Sequence, residues 1–142
     1  MSFIPLLVFE RHGQLAEQLR PRMKHRPIRV REARSAADCR RALRGVRGSL
    51  AVLDFSGDAL AGLRALEAVL DVDPQAAILV LGDRPLAGLG PRLLELGATH
   101  VAEAPGDPEV LAAWLDRFAA RAGDTTQSPS NPALSATLPG EG

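Results

Sequence analysis

Residues 50–63 read LAVLDFSGDALAGL: four apolar residues, an aspartate, a turn and the start of a helical pattern. A short, uninterrupted apolar run is typical of a strand covered on both faces, as in a parallel sheet. Gly57 indicates a turn, and apolar residues then recur at helical spacing from Leu60 until Pro74, which ends the helix. The stretch therefore predicts a strand–turn–helix unit with Asp54 at the carboxyl end of its strand.

The same unit recurs on both sides of this stretch. Apolar runs at 4–9 and 76–81 predict two more covered strands, and weaker segments at 28–30 and 99–102 predict two outer strands. The predicted helices begin near Gln14, Ser35, Leu60, Pro91 and Val110. This alternation predicts an α/β domain with a doubly wound parallel sheet and helices on both faces. Five units match a flavodoxin-like sheet of order 2-1-3-4-5, whose ligand crevice lies between the first and third strands.

Several helix ends are predicted from single residues. Ser35 is the expected N-cap of a helix over 35–46, in which Arg40, Arg44 and Arg47 share one face. Pro21 is expected to break or kink the first helix, and Gly123 to end the last one. The segment 123–142 is rich in Ser, Thr, Pro and Gly, so we expect a domain over 1–122 followed by a disordered tail.

Composition excludes several classes of protein. The 142 residues suffice for one domain, and neither an apolar run of membrane-spanning length nor an export signal is evident, so we expect a cytoplasmic chain without a membrane partner. The formal charge is +8 over residues 1–49 and −8 over residues 50–142, which balance. Neutrality and the scarcity of aromatic residues argue against a nucleic-acid partner. The single cysteine and scattered histidines show no metal-ligand spacing, and we expect no cofactor; these residues are His12, His25, Cys39 and His100.

In order and spacing of its motifs, residues 3–121 resemble the CheY-like receiver domain of response regulators. Leu53-Asp54 stands where that family carries its phosphoacceptor aspartate, and Gly62-Leu63 resembles its Asp-Gly-Leu. Gly97-Ala98 resembles the Gly-Ala before its fifth strand, and Pro105 matches its Lys-Pro. The resemblance implies the same fold, with Asp54 at the phosphorylation position.

The other active positions of the family are changed. The two acids that hold Mg²⁺ correspond to Glu10-Arg11, which has one carboxylate and one cation, so we expect no Mg²⁺ binding. The family's Thr or Ser hydroxyl corresponds to Gly82, its lysine to Ala104 and its switch aromatic to Val101. The resemblance therefore implies a degenerate pseudo-receiver without catalytic activity, in which Asp54 is a vestigial phosphoacceptor.

Three functions stay open at this point. The first is a phosphorylation-independent module for protein interaction or signalling; the second is an atypical receiver phosphorylated on Asp54; the third is a receiver-like domain that binds a small ligand. Asp54 could instead simply cap the following loop, and Arg11 could either occupy the crevice beside Asp54 or be solvated.

Two surfaces are candidates for a protein partner. The arginines Arg40, Arg44 and Arg47 are a solvated face, a site for an acidic partner or, as the third choice, a site for nucleic acid. Val110, Trp114 and Phe118 form a stripe on the last helix that either enters the core or meets a second copy. We expect a homodimer that involves this helix.

Overall fold

The computed structural model describes residues 3–83, 88–104 and 106–127. Five strands pair in parallel in the order β2-β1-β3-β4-β5, which confirms the predicted fold. The strands are β1 (Ile4–Phe9), β2 (Ile28–Ala33), β3 (Leu50–Asp54), β4 (Ala77–Gly82) and β5 (His100–Glu103). The helices are α1 (Gln14–Arg22), α2 (Ala36–Leu43), α3 (Ala59–Val72), α4 (Gly90–Leu96) and α5 (Pro108–Gln127).

Two apolar layers enclose the sheet. Successive side chains of a strand point to opposite faces, so Leu7 and Phe9 of β1 pack in the layer with α2 and α3, whereas Leu6 and Val8 pack in the layer with α1 and α5. The central strands β1, β3 and β4 are buried on both faces, and β2 and β5 form the two edges. Uninterrupted apolar runs therefore identified the central strands correctly.

Helix α2 is shorter than the sequence predicts. Its N-cap is as expected, because the Ser35 hydroxyl accepts a hydrogen bond of 3.1 Å from the backbone N–H of Asp38. The helix ends at Leu43, Arg44 is extended, and Gly45 follows at a φ of 78°, a conformation that favours glycine. The prediction of one helix over 35–46 is thus wrong, and Arg44 lies beyond its end.

The ends of α1 and α5 also differ from expectation. Pro21 lies in the last turn of α1, which continues to Arg22, because a proline there removes only one hydrogen bond of the helix. Gly123 does not end α5, which continues to Gln127; an isolated glycine in a helix costs only about 1 kcal/mol. Residues 123–127 of the predicted tail are therefore helical, and 128–142 lie outside the described residues. No helix in the described ranges is long and apolar enough to cross a membrane.

A buried carboxylate joins two loops at the amino end of the sheet. Asp73 follows α3 and is fully buried. Its Oδ1 accepts from the backbone N–H of Gly48 at 3.1 Å and of Gln75 at 3.2 Å. Its Oδ2 accepts from the backbone N–H of Ser49 at 2.8 Å and from the Ser49 hydroxyl at 2.6 Å. These bonds connect the α2–β3 and α3–β4 loops.

Candidate functional site

A cleft of about 410 Å³ opens at the carboxyl ends of β1 and β3. The strand order reverses between these two strands, which is where open α/β sheets bind ligands. The cleft brings together three of the residues singled out in the sequence, Glu10, Arg11 and Asp54. The other described residues that line it are Phe9, Arg34, Ser56, Asp58 and Ala61.

Glu10 is turned toward helix α1. Its side chain is only 6% exposed, and its two oxygens accept hydrogen bonds from the backbone N–H of Leu15 at 2.8 Å and of Ala16 at 2.9 Å. The N-cap position of α1 is Gly13, whose φ of 80° turns the chain into the helix and which has no side chain to cap it. Glu10 therefore caps α1, and its negative charge faces the positive end of the helix dipole.

Arg11 reaches Asp58 rather than Asp54. Its Nη2 lies 3.6 Å from Asp58 Oδ2, with both side chains about half exposed or more. Such an exposed ion pair contributes little to stability. Asp58 also caps α3, because its Oδ1 accepts a hydrogen bond of 3.0 Å from the backbone N–H of Ala61. Arg11 thus lies in the crevice with Asp54, but its ion pair is with Asp58, the residue that caps α3.

Asp54 stabilises the turn after β3. Its Oδ1 accepts hydrogen bonds from the backbone N–H of Ser56 at 2.9 Å and from the Ser56 hydroxyl at 2.5 Å. Within the described part of the chain, no side chain or backbone group donates a hydrogen bond to Oδ2. Asp54 therefore does act as a loop cap, and one of its oxygens remains available toward the cleft.

Arg34 was not predicted as a site residue. Its guanidinium donates a hydrogen bond to the backbone carbonyl of Arg11 and lies 3.3 Å from Glu32 Oε1. Glu32 also pairs with Arg20 of α1 at 2.6 Å. Arg34 therefore holds the β1–α1 loop against the end of β2. The sequence carries no signal for this role, because the predicted strand ends at Val30 and only the structure extends β2 to Ala33, directly before Arg34.

Of the remaining family positions, Gly82 ends β4, Val101 lies on β5 and Ala104 follows β5, and none of the three is among the described residues that line the cleft. The Gly82 carbonyl accepts a hydrogen bond of 2.8 Å from the backbone N–H of Ala104, and Val101 packs against the core layer of α2 and α3. None of these three residues offers a hydroxyl or an ammonium group. Pro105 and residues 84–87 lie outside the described residues.

The cleft residues do not fit a Mg²⁺ site. Mg²⁺ takes oxygen ligands, chiefly carboxylates and water, in a near-octahedral arrangement. Both oxygens of Glu10 already accept backbone hydrogen bonds, and the neighbouring position carries the Arg11 cation. Across the described ranges, no three His, Cys, Asp or Glu residues come together as a set of metal ligands.

Two groups with shifted pKa values lie on α2, outside the cleft lining. The backbone N–H of Arg34 donates to the Asp38 carboxylate at 3.0 Å and lowers the pKa of Asp38. Burial raises the pKa of the Cys39 thiol to about 12. Cys39 therefore stays protonated in the core layer and is neither a nucleophile nor a metal ligand.

Neither set of residues predicted for a protein partner forms one continuous surface. Arg40 pairs with Asp71 of α3, whereas Arg44 and Arg47 follow the helix, so the three arginines do not share one helix face. On α5, Val110 is 63% exposed, but Trp114 is only 9% exposed and packs with Phe118 in the layer of α1 and α5, at a ring separation of 4.3 Å. The described surface of this stripe is thus mainly Val110.

Comparison with known proteins identifies the fold. No family model matches the sequence, and no curated protein matches it. Among solved structures, a CheY-like receiver domain from Methanospirillum hungatei superposes with a TM-score of 0.71 at 15% identity, covering 87% of this chain and 98% of that one.

Two further similar structures have other descriptions. A Burkholderia pseudomallei response regulator with a phosphorylated aspartic acid, calcium ion and citrate has a TM-score of 0.66 at 21% identity, covering 89% of this chain and 75% of that one. A structure described as adenylate cyclase from Rhodopirellula baltica has a TM-score of 0.75 at 10% identity, covering 94% of this chain and 99% of that one. The shared architecture shows that this chain has the flavodoxin-like fold of CheY-like receiver domains.

Proposed function

We propose that the chain is a pseudo-receiver, a module for protein interaction or signalling that acts without phosphorylation and without catalysis of its own. The observation that carries this proposal is the position of Glu10. Both of its oxygens are bound to backbone N–H groups of α1, so the one acid that the sequence retains at the metal position serves helix α1 instead.

Charge arguments support the same function. Phosphoryl transfer depends on positioning and on neutralising the charge of the transferred group. At the corresponding positions this chain has Arg11, Gly82 and Ala104, which supply neither a second metal ligand nor a hydroxyl nor an ammonium. Asp54 therefore lacks the groups that would make it a phosphoacceptor, and we assign it the role of loop cap.

The alternative function is an atypical receiver that is phosphorylated on Asp54. It is favoured by the oxygen Oδ2, to which no described residue donates a hydrogen bond, and by the phosphorylated aspartic acid of the similar Burkholderia pseudomallei regulator. A small-ligand domain is the third candidate, because a cleft of about 410 Å³ lies within the usual size of ligand pockets. Thermal-shift measurements with metabolites test this third candidate.

Mass spectrometry after incubation with acetyl phosphate and Mg²⁺ separates the first two functions. We expect the unmodified mass for the natural chain and for Asp54→Asn. The matched positive control is the triple variant Arg11→Asp, Gly82→Thr, Ala104→Lys, which restores the family residues on the same scaffold. If the mass of the natural chain increases by one phosphoryl group and the mass of Asp54→Asn does not, the proposal is overturned.

We also propose that two copies associate through α5. The exposure of Val110 on an otherwise packed stripe supports this contact. Light scattering during size-exclusion chromatography should give a dimer mass that Val110→Glu converts to a monomer mass with unchanged helicity. A monomer mass of the natural chain at every concentration would contradict it.

A further inference from the structure

The edge strand β2 presents two arginines on one face. Ile28 and Val30 pack in the layer with α1 and α5, whereas Ala33 packs in the layer with α2. Because side chains alternate along a strand, Arg29 and Arg31 lie on the α2 side of the sheet together with Ala33. A hydrogen bond of 3.4 Å from the Arg31 guanidinium to the Ala42 carbonyl of α2 agrees with this placement.

Two more arginines lie near the same end of α2. Arg44 is the residue that ends the helix, and Arg47 lies in the loop that leads to β3. All four arginines are exposed, and we call them the β2 arginine patch: Arg29, Arg31, Arg44 and Arg47. None of these four arginines is among the described residues that line the cleft.

The arginines of the patch differ from the other arginines of the first half in their ion pairing. Seven of those pair with carboxylates within 4.0 Å, and they are Arg11, Arg20, Arg22, Arg26, Arg34, Arg40 and Arg41. For the four arginines of the patch, no described acid lies within that distance. Ion pairs with four acids of the second half, Asp58, Asp71, Glu109 and Asp116, thus compensate half of the +8 of the first half, and the four arginines of the patch have no such partner among the described residues.

The outer side of β2 is open. Among the described residues the strand pairs with β1 alone, so half of its backbone N–H and C=O groups face away from the sheet. An extended segment of another chain can add to such an edge as a further strand. Charges on every second residue of that segment then point to one face, at the spacing that Arg29 and Arg31 have.

We propose that the edge of β2 binds an extended acidic segment of a partner protein as an added strand. Carboxylates on alternate residues of the segment pair with Arg29 and Arg31, and further acids meet Arg44 and Arg47. This inference rests on the proposed function, because it names the class of partner that the interaction module takes.

The surroundings favour a polypeptide over a nucleic acid. The alternating N–H donors and C=O acceptors of the β2 edge match those of another strand, whereas the phosphates of a nucleic acid offer acceptors alone. Phe3 is 47% exposed, and the Arg29 guanidinium lies over its ring at 4.7 Å from the ring centre. That contact occupies the face on which a base would stack.

Fluorescence anisotropy with the full chain tests the proposal. The probe is a labelled peptide of alternating Glu and Thr, about ten residues long, which exceeds the length of an average strand. We expect it to bind, and the variant Arg29→Gln/Arg31→Gln to weaken binding about tenfold or more. The matched control Arg40→Gln/Arg41→Gln removes the same charge from arginines that already have carboxylate partners, and we expect less than about a twofold change.

Two N-methylated versions of the peptide isolate the contribution of backbone hydrogen bonds to binding. Methylation of the backbone nitrogens on alternate residues keeps every charge but prevents strand pairing on the bonded edge. We expect one of the two methylation patterns to abolish binding. Hydrogen exchange of the β2 amides should slow with the unmethylated peptide and with the tolerated pattern, but not with the pattern that abolishes binding. Circular dichroism verifies that all variants remain folded.

Several outcomes would overturn the inference. These are no binding of the probe, equal losses for both arginine pairs, or full binding of both methylated peptides. Tighter binding of oligothymidylate with the same dependence on Arg29 and Arg31 would assign the patch to nucleic acid. Phosphorylation of Asp54 with peptide binding unchanged would refute the proposed function alone, whereas an unmodified Asp54 with no peptide binding would refute this inference alone.

Discussion

Replacing Glu10 tests whether this residue serves helix α1 or a metal ion. The substitution Glu10→Ala removes two hydrogen bonds to a carboxylate, those from the backbone N–H of Leu15 and Ala16. A bond to a charged group contributes about 1.5–3 kcal/mol, and loss of a helix cap costs about 0.5–2 kcal/mol. Glu10 lines an open cleft, so water can reach the freed N–H groups and the lower values apply. We expect Glu10→Ala to reduce the free energy of unfolding by about 3 kcal/mol, and Glu10→Gln, which keeps one acceptor oxygen, by about 1–2 kcal/mol.

Urea unfolding with and without millimolar Mg²⁺ measures these effects. The control is Glu17→Gln, an exposed acid in the first turn of the same helix, which should change stability by less than about 0.5 kcal/mol. A loss of about 3 kcal/mol corresponds to a fall in Tm of about 12 °C for a domain of this size. If Glu10→Ala behaves like Glu17→Gln, Glu10 is not the cap of α1. If Mg²⁺ stabilises the natural chain but not Glu10→Ala, Glu10 is a metal ligand and the reasoning is wrong.

Three further predictions concern packing, buried charge and ionisation. Gly62→Ala places a Cβ 2.5 Å from the ring of Phe55, so it should destabilise the fold by about 1–3 kcal/mol despite the better helix propensity of alanine. Thermal unfolding should show that Gly62→Ala costs much less in a chain that already carries Phe55→Leu. Asp73→Asn disturbs four hydrogen bonds in a fully buried position and should cost about 3 kcal/mol in urea unfolding, whereas the exposed Asp71→Asn should cost less than about 0.5 kcal/mol. Because the pKa of Cys39 is raised from 9.0 to about 12, the thiol of the unfolded chain ionises first, and the free energy of unfolding should fall as the pH rises from 9 toward 12. At neutral pH, a thiol reagent should react with Cys39 only after the chain unfolds.

The strands were predictable to the extent that they are buried. β1, β3 and β4 are apolar on both faces, and their predicted bounds are correct within one residue. β2 was predicted to end at Val30, but it continues to Ala33 because Glu32 and Ala33 pair with the end of β1. On an edge strand, pairing with a neighbour decides the length, and this leaves no apolar pattern to detect.

The cleft was predictable in position but not in its internal contacts. The carboxyl ends of β1 and β3 lie side by side where the strand order reverses. This topology places Asp54, Glu10 and Arg11 together whatever their roles. The capping role of Glu10 depends on the turn at Gly13, which brings the N–H groups of α1 back to the end of β1. That geometry involves residues five and six positions apart, outside the spacing of the usual capping motifs.

The buried cluster around Asp73 also determines how β3 and β4 are aligned. Both strands are apolar on both faces, so a shift by one residue would still leave apolar side chains against each layer, and hydrophobic burial distinguishes the two registers poorly. The Asp73 carboxylate binds the N–H and hydroxyl of Ser49, and the Ser49 carbonyl accepts a hydrogen bond of 2.9 Å from the backbone N–H of Ala77. Leu50 is thereby placed opposite Ala77. A shifted β3 would remove the donors of Gly48 and Ser49 and leave the buried carboxylate with the Gln75 N–H alone, at a cost of about 3 kcal/mol, so a single polar group disfavours a misaligned sheet that the apolar core would tolerate.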